Sequence, residues 1–238
     1  MSIANVVGSN IFNILMITGI CSIIYKLKIN EYKNVYTLIG ICALLMLIIV
    51  DGTLGRFDGV ILLGTFACYL YKMFKSVKTK ENVEEGYTNE KPLWLTILIG
   101  LISLGCIVIG GDMVVKSASA IAIVLGMSEN LVGLTIVALG TSLPEFVTSV
   151  IATKKGELDI AIGNVLGSNI FNILLILGCA SLINPMAVTT LATLDIIIMA
   201  IVTTVFSILT YKTKSLEGKK GIILILIYVS YIIFTIIR

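Results

Sequence analysis

The sequence predicts an all-α membrane protein built from an inverted repeat, and three observations carry that prediction. Apolar residues make up 58% of the 238 positions and charged residues 13%, against about 45–50% and about 25% in a soluble domain. Apolar stretches near the ~20 residues that a helix needs to cross a bilayer recur along the whole length. A sixteen-residue segment near the start also returns far downstream almost unchanged.

Each spanning segment must satisfy its own backbone hydrogen bonds in hydrocarbon, so the spans are expected to be helices. Eight are expected, at residues 3–25, 35–50, 58–74, 93–115, 128–152, 160–183, 188–211 and 221–237. The longest hydrophilic stretch, residues 75–91, falls between the third and fourth and reads as a solvated linker. Placing that linker in the cytoplasm puts the loops near Lys26–Lys33, Lys154–Glu157 and Lys212–Lys220 on the same side. Fourteen of the 17 Lys and Arg residues then lie inside, and only Arg56, Lys116 and Arg238 outside. This is the positive-inside asymmetry of membrane proteins.

Composition excludes several classes of chemistry. There is no histidine, so imidazole metal ligands and histidine-based catalysis are absent. The five cysteines, Cys21, Cys42, Cys68, Cys106 and Cys179, are widely spaced and form no C-x-x-C pair. Neither a thiolate zinc site nor a redox motif is indicated, and the cysteines read as buried small hydrophobes. No enzyme activity is expected.

The repeat sets the architecture. Ala4–Gly19 (ANVVGSNIFNILMITG) matches Gly163–Gly178 (GNVLGSNIFNILLILG) at twelve of sixteen positions, an offset of 159. A second echo follows at an offset of 162: Gly59-Val-Ile-Leu-Leu with Tyr69, and Gly221-Ile-Ile-Leu-Ile with Tyr231. Spans one to three therefore repeat as spans six to eight. The first copy starts outside and the second inside, which is the inverted-repeat plan of many transporters, with a site at the repeat interface near mid-membrane. Residues 1–74 read as the remainder of a first repeat and residues 92–238 as the second. The spans at 93–115 and 128–152 have no upstream counterpart, so symmetry predicts about 70 further residues, forming two helices, ahead of Met1. The chain thus carries eight of an expected ten membrane helices. The other two would come in cis or from a partner chain, and without them the chain is expected not to exchange ions.

Residues 133–145 (GLTIVALGTSLPE) place a proline and a carboxylate in mid-membrane. Pro144 lacks an N–H and clashes with the carbonyl of Gly140, so the helix must break or kink. The break frees main-chain carbonyls around Ala138 and Thr141 as hard oxygen ligands. Glu145 follows Thr141 by four residues and shares its helix face. A carboxylate at the bilayer centre costs several kcal/mol unless it is paired, protonated or bound to a cation. No basic residue lies in that span, so a cation is the expected partner. The next helix carries Asn164, Ser168 and Asn172 at i, i+4 and i+8, matched in the first copy by Asn5, Ser9 and Asn13. Beside each stripe runs a small-residue pair, Gly163/Gly167 or Ala4/Gly8, expected to permit close helix approach. Amide stripes often do no more than hold helices together. Two copies converging on one acidic kink favour ion ligation, for which Ca²⁺ needs six to eight oxygens of these types.

GTSLPE followed by GNVLGSNIFNIL resembles the second alpha repeat of the sodium/calcium exchanger superfamily, and ANVVGSNIFNIL resembles the tail of the first. The likeness extends over essentially the whole chain. It implies that Glu145, Thr141, Ser142, Ala138 and Ser168, with Ser9 from the first copy, bind Na⁺ or Ca²⁺, and that Asn13 and Asn172 lie at the centre of the site. It also implies transported Na⁺ and Ca²⁺ without a cofactor, no nucleic-acid partner, and residence in a bacterial or archaeal inner membrane. Two departures stand out. Many relatives have aspartate where this chain has Asn172, and the first-half GTSxPE motif is absent. Asp112 reads as a capping or packing residue and Asp195 as facing the membrane interface.

Three functions stay open: Na⁺/Ca²⁺ exchange, H⁺/Ca²⁺ exchange, and a non-transporting assembly partner. The hydroxyls of Thr141 and Ser142 and the absence of histidine favour Na⁺.

Overall fold

The computed structural model describes residues 3–29, 32–80, 92–126 and 138–237. Nine helical elements are described: α1 (Ile3–Ile24), α2 (Tyr32–Ile48), α3 (Arg56–Lys80), α4 (Leu93–Val124), α5 (Ala138–Thr141), α6 (Leu143–Lys154), α7 (Leu158–Ile183), α8 (Thr190–Tyr211) and α9 (Lys219–Ile237). Four two-residue strands lie between them: β1 (Leu27–Lys28), β2 (Thr53–Leu54), β3 (Met186–Ala187) and β4 (Ser215–Leu216). Among the described residues, six helices are long and apolar enough to cross a membrane, and α2 is a shorter apolar helix.

Local chemistry sets the boundaries. Asp58 reaches back to accept from the Gly55 N–H at 2.7 Å, which caps the start of α3. Thr189 Oγ1 accepts from Ala192 N at 3.2 Å and starts α8. The turn into β2 places Gly52 at φ +77°, a region open to glycine without steric cost.

Helix α1 sits at the centre of the fold. Most of its apolar stretch is buried, whereas almost none of that of α4 is. A core of Val7, Ile11, Leu15, Leu166, Ile170, Leu174, Met199 and Phe206 joins α1 to α7 and α8. Helices α1 and α7 each pass through a π segment, Asn13–Ile17 and Asn172–Leu177, so the two irregularities begin 159 residues apart.

The two copies engage one another reciprocally. Strand β1 pairs antiparallel with β4, and β2 with β3. Gly19 of α1 packs on Gly221 of α9, and Gly178 of α7 packs on Gly59 of α3. Phe12 meets Tyr228 with ring centroids 5.4 Å apart, and Phe171 meets Phe66 at 5.8 Å. Exchanging each residue for its repeat equivalent turns one contact into the other, the pattern of a two-fold relation. The 17 residues of α2 span about 25 Å and hold β1 and β2 at opposite ends. The ends of α1 and α7, which run into β1 and β3, therefore lie at opposite ends too.

Several sequence expectations need correction. Residues 75–80 are helical, continuing α3 instead of opening a linker, and residues 81–91 lie outside the described residues. Helix α4 runs nine residues past the expected end at 115. Asp112 and Lys116 are therefore both within it, paired at 2.6 Å on its exposed surface, and Asp112 neither caps nor packs. Asp195 is buried, 3% exposed, and accepts a hydrogen bond from the Tyr231 hydroxyl at 3.3 Å. Position 195 falls on the face of α8 turned towards α9, so it does not meet the interface. Only Cys21 and Cys42 are buried, while Cys68 and Cys106 are exposed. A Cβ placed on Gly8, Gly163 or Gly167 would meet nothing within 4 Å. Close helix approach occurs instead at the glycines that end the first echo and open the second, Gly19, Gly178, Gly59 and Gly221. The expected span at 128–152 is described from residue 138 onward.

Candidate functional site

The break at Pro144 forms as the residue chemistry requires. Helix α5 ends at Thr141, Ser142 is a turn residue at φ −101°, ψ 6°, and α6 restarts at Leu143 with Pro144 in its first turn. The missing proline N–H costs nothing there, because first-turn N–H groups have no helical partner. Helix α5 is seated by Gly140, where any Cβ would collide with Val115 of α4.

Around the break the polar stripes meet. Ser9 Oγ and Thr141 Oγ1 share a hydrogen bond of 3.0 Å. Asn13 Nδ2 donates to Ser168 Oγ at 3.3 Å and to Asn169 Oδ1 at 3.0 Å. Ser168 Oγ in turn donates to the Asn164 carbonyl at 2.7 Å. Asn164 Nδ2 donates to the Glu145 carbonyl at 3.0 Å and to Ser149 Oγ at 2.9 Å, fixing α7 to α6. Asn172 Nδ2 donates to Asn10 Oδ1 at 3.0 Å. An open pocket of about 420 Å³ is lined by Glu145, Gly163, Asn164, Gly167, Ser168, Phe171, Asn172 and Ile176. The two glycines give the pocket its width, since no side chain projects from that face of α7.

Glu145 Oε2 and Asn13 Oδ1 are buried without a hydrogen-bond partner among the described residues. Both are acceptors. Buried polar atoms are nearly always satisfied, so each of these two oxygens is open to a hydrogen-bond donor or a cation. No cluster of three or more Cys, Asp or Glu side chains occurs among the described residues, so the donor set is one carboxylate with neutral amide and hydroxyl oxygens. That set is hard and oxygen-only, the type that suits Na⁺ and Ca²⁺.

Of the residues singled out in the sequence, Glu145, Ser168 and Asn172 line the pocket. Asn13 lies behind it, joined to it through Ser168, while Ser9 bonds Thr141, and neither of those two lines the pocket. Ser142 is buried at the break. Ala138 opens α5, and its side chain is outside the described residues. The stripe reading passed over Asn10 and Asn169, which are fully buried at the centre. The available signal was the Ser-Asn pair repeated in both GSN motifs, one position off the i, i+4 row.

In sequence and fold the chain is similar to relatives of known family. The family described as sodium/calcium exchanger protein matches residues 1–75 and 95–237. The protein CaxA of Alkalimonas amylolytica is 32% identical over 97% of this chain and 76% of its own length. The sodium/calcium exchanger MaX1 of Methanosarcina acetivorans is 52% identical over 39% of this chain and 26% of its own. A solved structure of the sodium-calcium exchanger NCX_Mj, soaked with zero Na⁺ and Ca²⁺, superposes with a TM-score of 0.81 at 29% identity, covering 97% of this chain and 75% of that one. With the family match spanning nearly every described residue and the polar stripes meeting at a broken acidic helix, the chain belongs to the sodium/calcium exchanger family of membrane proteins.

Proposed function

We propose that the protein is a secondary antiporter that exchanges Na⁺ for Ca²⁺ by alternating access, both ions using one site around Glu145. The observation that carries this reading is that two buried acceptors, Glu145 Oε2 and Asn13 Oδ1, have no hydrogen-bond partner among the described residues. An unpaired carboxylate within a membrane is costly, and a bound cation removes that cost. The ligands would be the Glu145 carboxylate, the amide oxygens of Asn13 and Asn172, the hydroxyls of Ser9, Thr141, Ser142 and Ser168, and the Ala138 carbonyl. Together they reach the six to eight oxygens Ca²⁺ takes, and Na⁺ accepts the same donors.

The reciprocal contacts between the copies support the alternating step. A two-fold relation between antiparallel copies lets the molecule open to either side by exchanging the conformations of its halves. In this reading residues 1–74 are the remainder of the first repeat and residues 92–238 the second, with 75–91 cytoplasmic and the protein in a cell (inner) membrane.

The test is ⁴⁵Ca²⁺ uptake into liposomes holding the protein as its gene encodes it. Uptake should follow an imposed Na⁺ gradient at clamped pH. Uptake that ignores Na⁺ and follows an imposed pH difference would assign the counter-ion to H⁺, with Glu145 as the proton carrier.

A further inference from the structure

We propose that Asn10 and Asn169 are positioning residues that set which atom the amides of Asn172 and Asn13 present to the transported cation. The inference rests on the ion-site reading above and adds a determinant of affinity to it.

An amide side chain offers a carbonyl oxygen at one end and an N–H pair at the other, in nearly the same shape. Only the oxygen can bind a cation. An asparagine ligand therefore works only if something decides its orientation, and in this fold a main-chain carbonyl does. Asn10 Nδ2 donates to the Asn169 carbonyl at 3.3 Å and to Met199 Sδ at 3.6 Å. Both partners accept and neither can donate, so Asn10 cannot turn over. Its Oδ1 is thereby presented to Asn172, which must answer with Nδ2, at 3.0 Å. The oxygen of Asn172 is the other end of an amide that lines the pocket, and no described residue is seen to donate to it.

The same chain of constraints runs from the other copy. Asn169 Nδ2 donates to the Asn10 carbonyl at 3.2 Å, and its Oδ1 takes Asn13 Nδ2 at 3.0 Å. The remaining proton of Asn13 Nδ2 goes to Ser168 Oγ at 3.3 Å. Asn13 Oδ1 is left buried and unpartnered among the described residues. Four asparagines thus form one closed network in which two backbone carbonyls fix two amides, and those fix two more. Asn10 and Asn169 are fully buried, so water does not compete for these bonds.

A role limited to joining α1 to α7 would predict a loss of stability and nothing more. Orientation predicts a specific rescue. Aspartate at position 172 has oxygen at both ends and needs no orienting. In the protein as its gene encodes it, Asn10→Ala should raise the Ca²⁺ concentration for half-saturation in ⁴⁵Ca²⁺ equilibrium binding on the order of 10–100-fold, as loss of an outer-shell partner does. In an Asn172→Asp background the same change should leave it unchanged or lower it, because the orienting coupling is gone and Asn10 Oδ1 no longer faces a carboxylate oxygen. Asn169→Ala, with and without Asn13→Asp, repeats the test at the equivalent position should Asn10→Ala fail to fold. Equal losses in both backgrounds, or no loss in either, would overturn the orienting role. Glu145→Gln separates this from the parent reading: Ca²⁺ binding that survives it, or no binding by the wild type, overturns the ion site itself. Binding lost with Glu145→Gln but unmoved by Asn10→Ala overturns only the positioning.

Discussion

Asn10 and Asn169 lie 159 residues apart in the chain, and each donates its side-chain amide to the other's main-chain carbonyl, at 3.3 and 3.2 Å. The pair marks the place where α1 and α7 cross, with the π segments, the Pro144 break and the pocket close around it.

Glu145→Gln should reduce Na⁺-driven ⁴⁵Ca²⁺ uptake to background while leaving membrane insertion and the monodisperse elution profile intact. The amide keeps the size of the side chain and the main-chain acceptor used by Asn164, and removes only the charge that balances the ion. Uptake at the wild-type rate would make Glu145 a structural residue.

The glycines divide into two classes with opposite expected behaviour. A Cβ at Gly221 would stand 2.6 Å from the Gly19 carbonyl, and one at Gly59 would stand 2.8 Å from the Gly178 carbonyl. Gly221→Ala and Gly59→Ala should each cost about 1–3 kcal/mol, the usual penalty of overpacking, seen as a lowered Tm. Gly167 has open space around it and faces the pocket. Gly167→Leu should keep the wild-type Tm and yet obstruct ion uptake. A Tm loss at Gly167 matching that at Gly221 would contradict the assignment.

Sidedness is testable at the strands. Lys28 and Lys214 flank or lie in β1 and β4, Thr53 and Ala187 lie in β2 and β3, and all four are exposed. In a cysteine-free background, single cysteines at 28 and 214 should react with an impermeant maleimide from the cytoplasmic side only. Cysteines at 53 and 187 should react only from the opposite side. Labelling of all four from one side would refute the inverted arrangement.

Tyr231→Phe should destabilise the protein by about 1–3 kcal/mol, the usual cost of taking a hydrogen bond from a buried polar group. The hydroxyl donates to Asp195, which is 3% exposed. Thermal unfolding followed by elution profile measures it, and an unchanged Tm would show that Asp195 is held by its other contacts.

Sequence alone determined the solvent, the helical class, the repeat and the acidic break, because each is written in local chemistry. Apolar length dictates a spanning helix, Pro144 cannot continue one, and twelve identities in sixteen residues declare a duplication. The pocket-lining residues Glu145, Ser168 and Asn172 were legible for the same reason, Glu145 as the carboxylate beside Pro144, and Ser168 and Asn172 as polar residues on one helix face at i and i+4; the face expected to join Thr141 to Glu145 is interrupted by the break at Ser142. Tertiary structure alone decided what lies opposite what. Spacing within α7 could not reveal that Gly163 and Gly167 border a pocket while Gly178 carries the close helix contact, since that depends on which helix crosses where. Nor could it place Asp195 beside Tyr231, 36 residues away. The repeated Ser-Asn pair pointed to Asn10 and Asn169 but not to their orientation, because the bonds that set it run to main-chain carbonyls of the other copy, and a backbone atom leaves no trace in residue type.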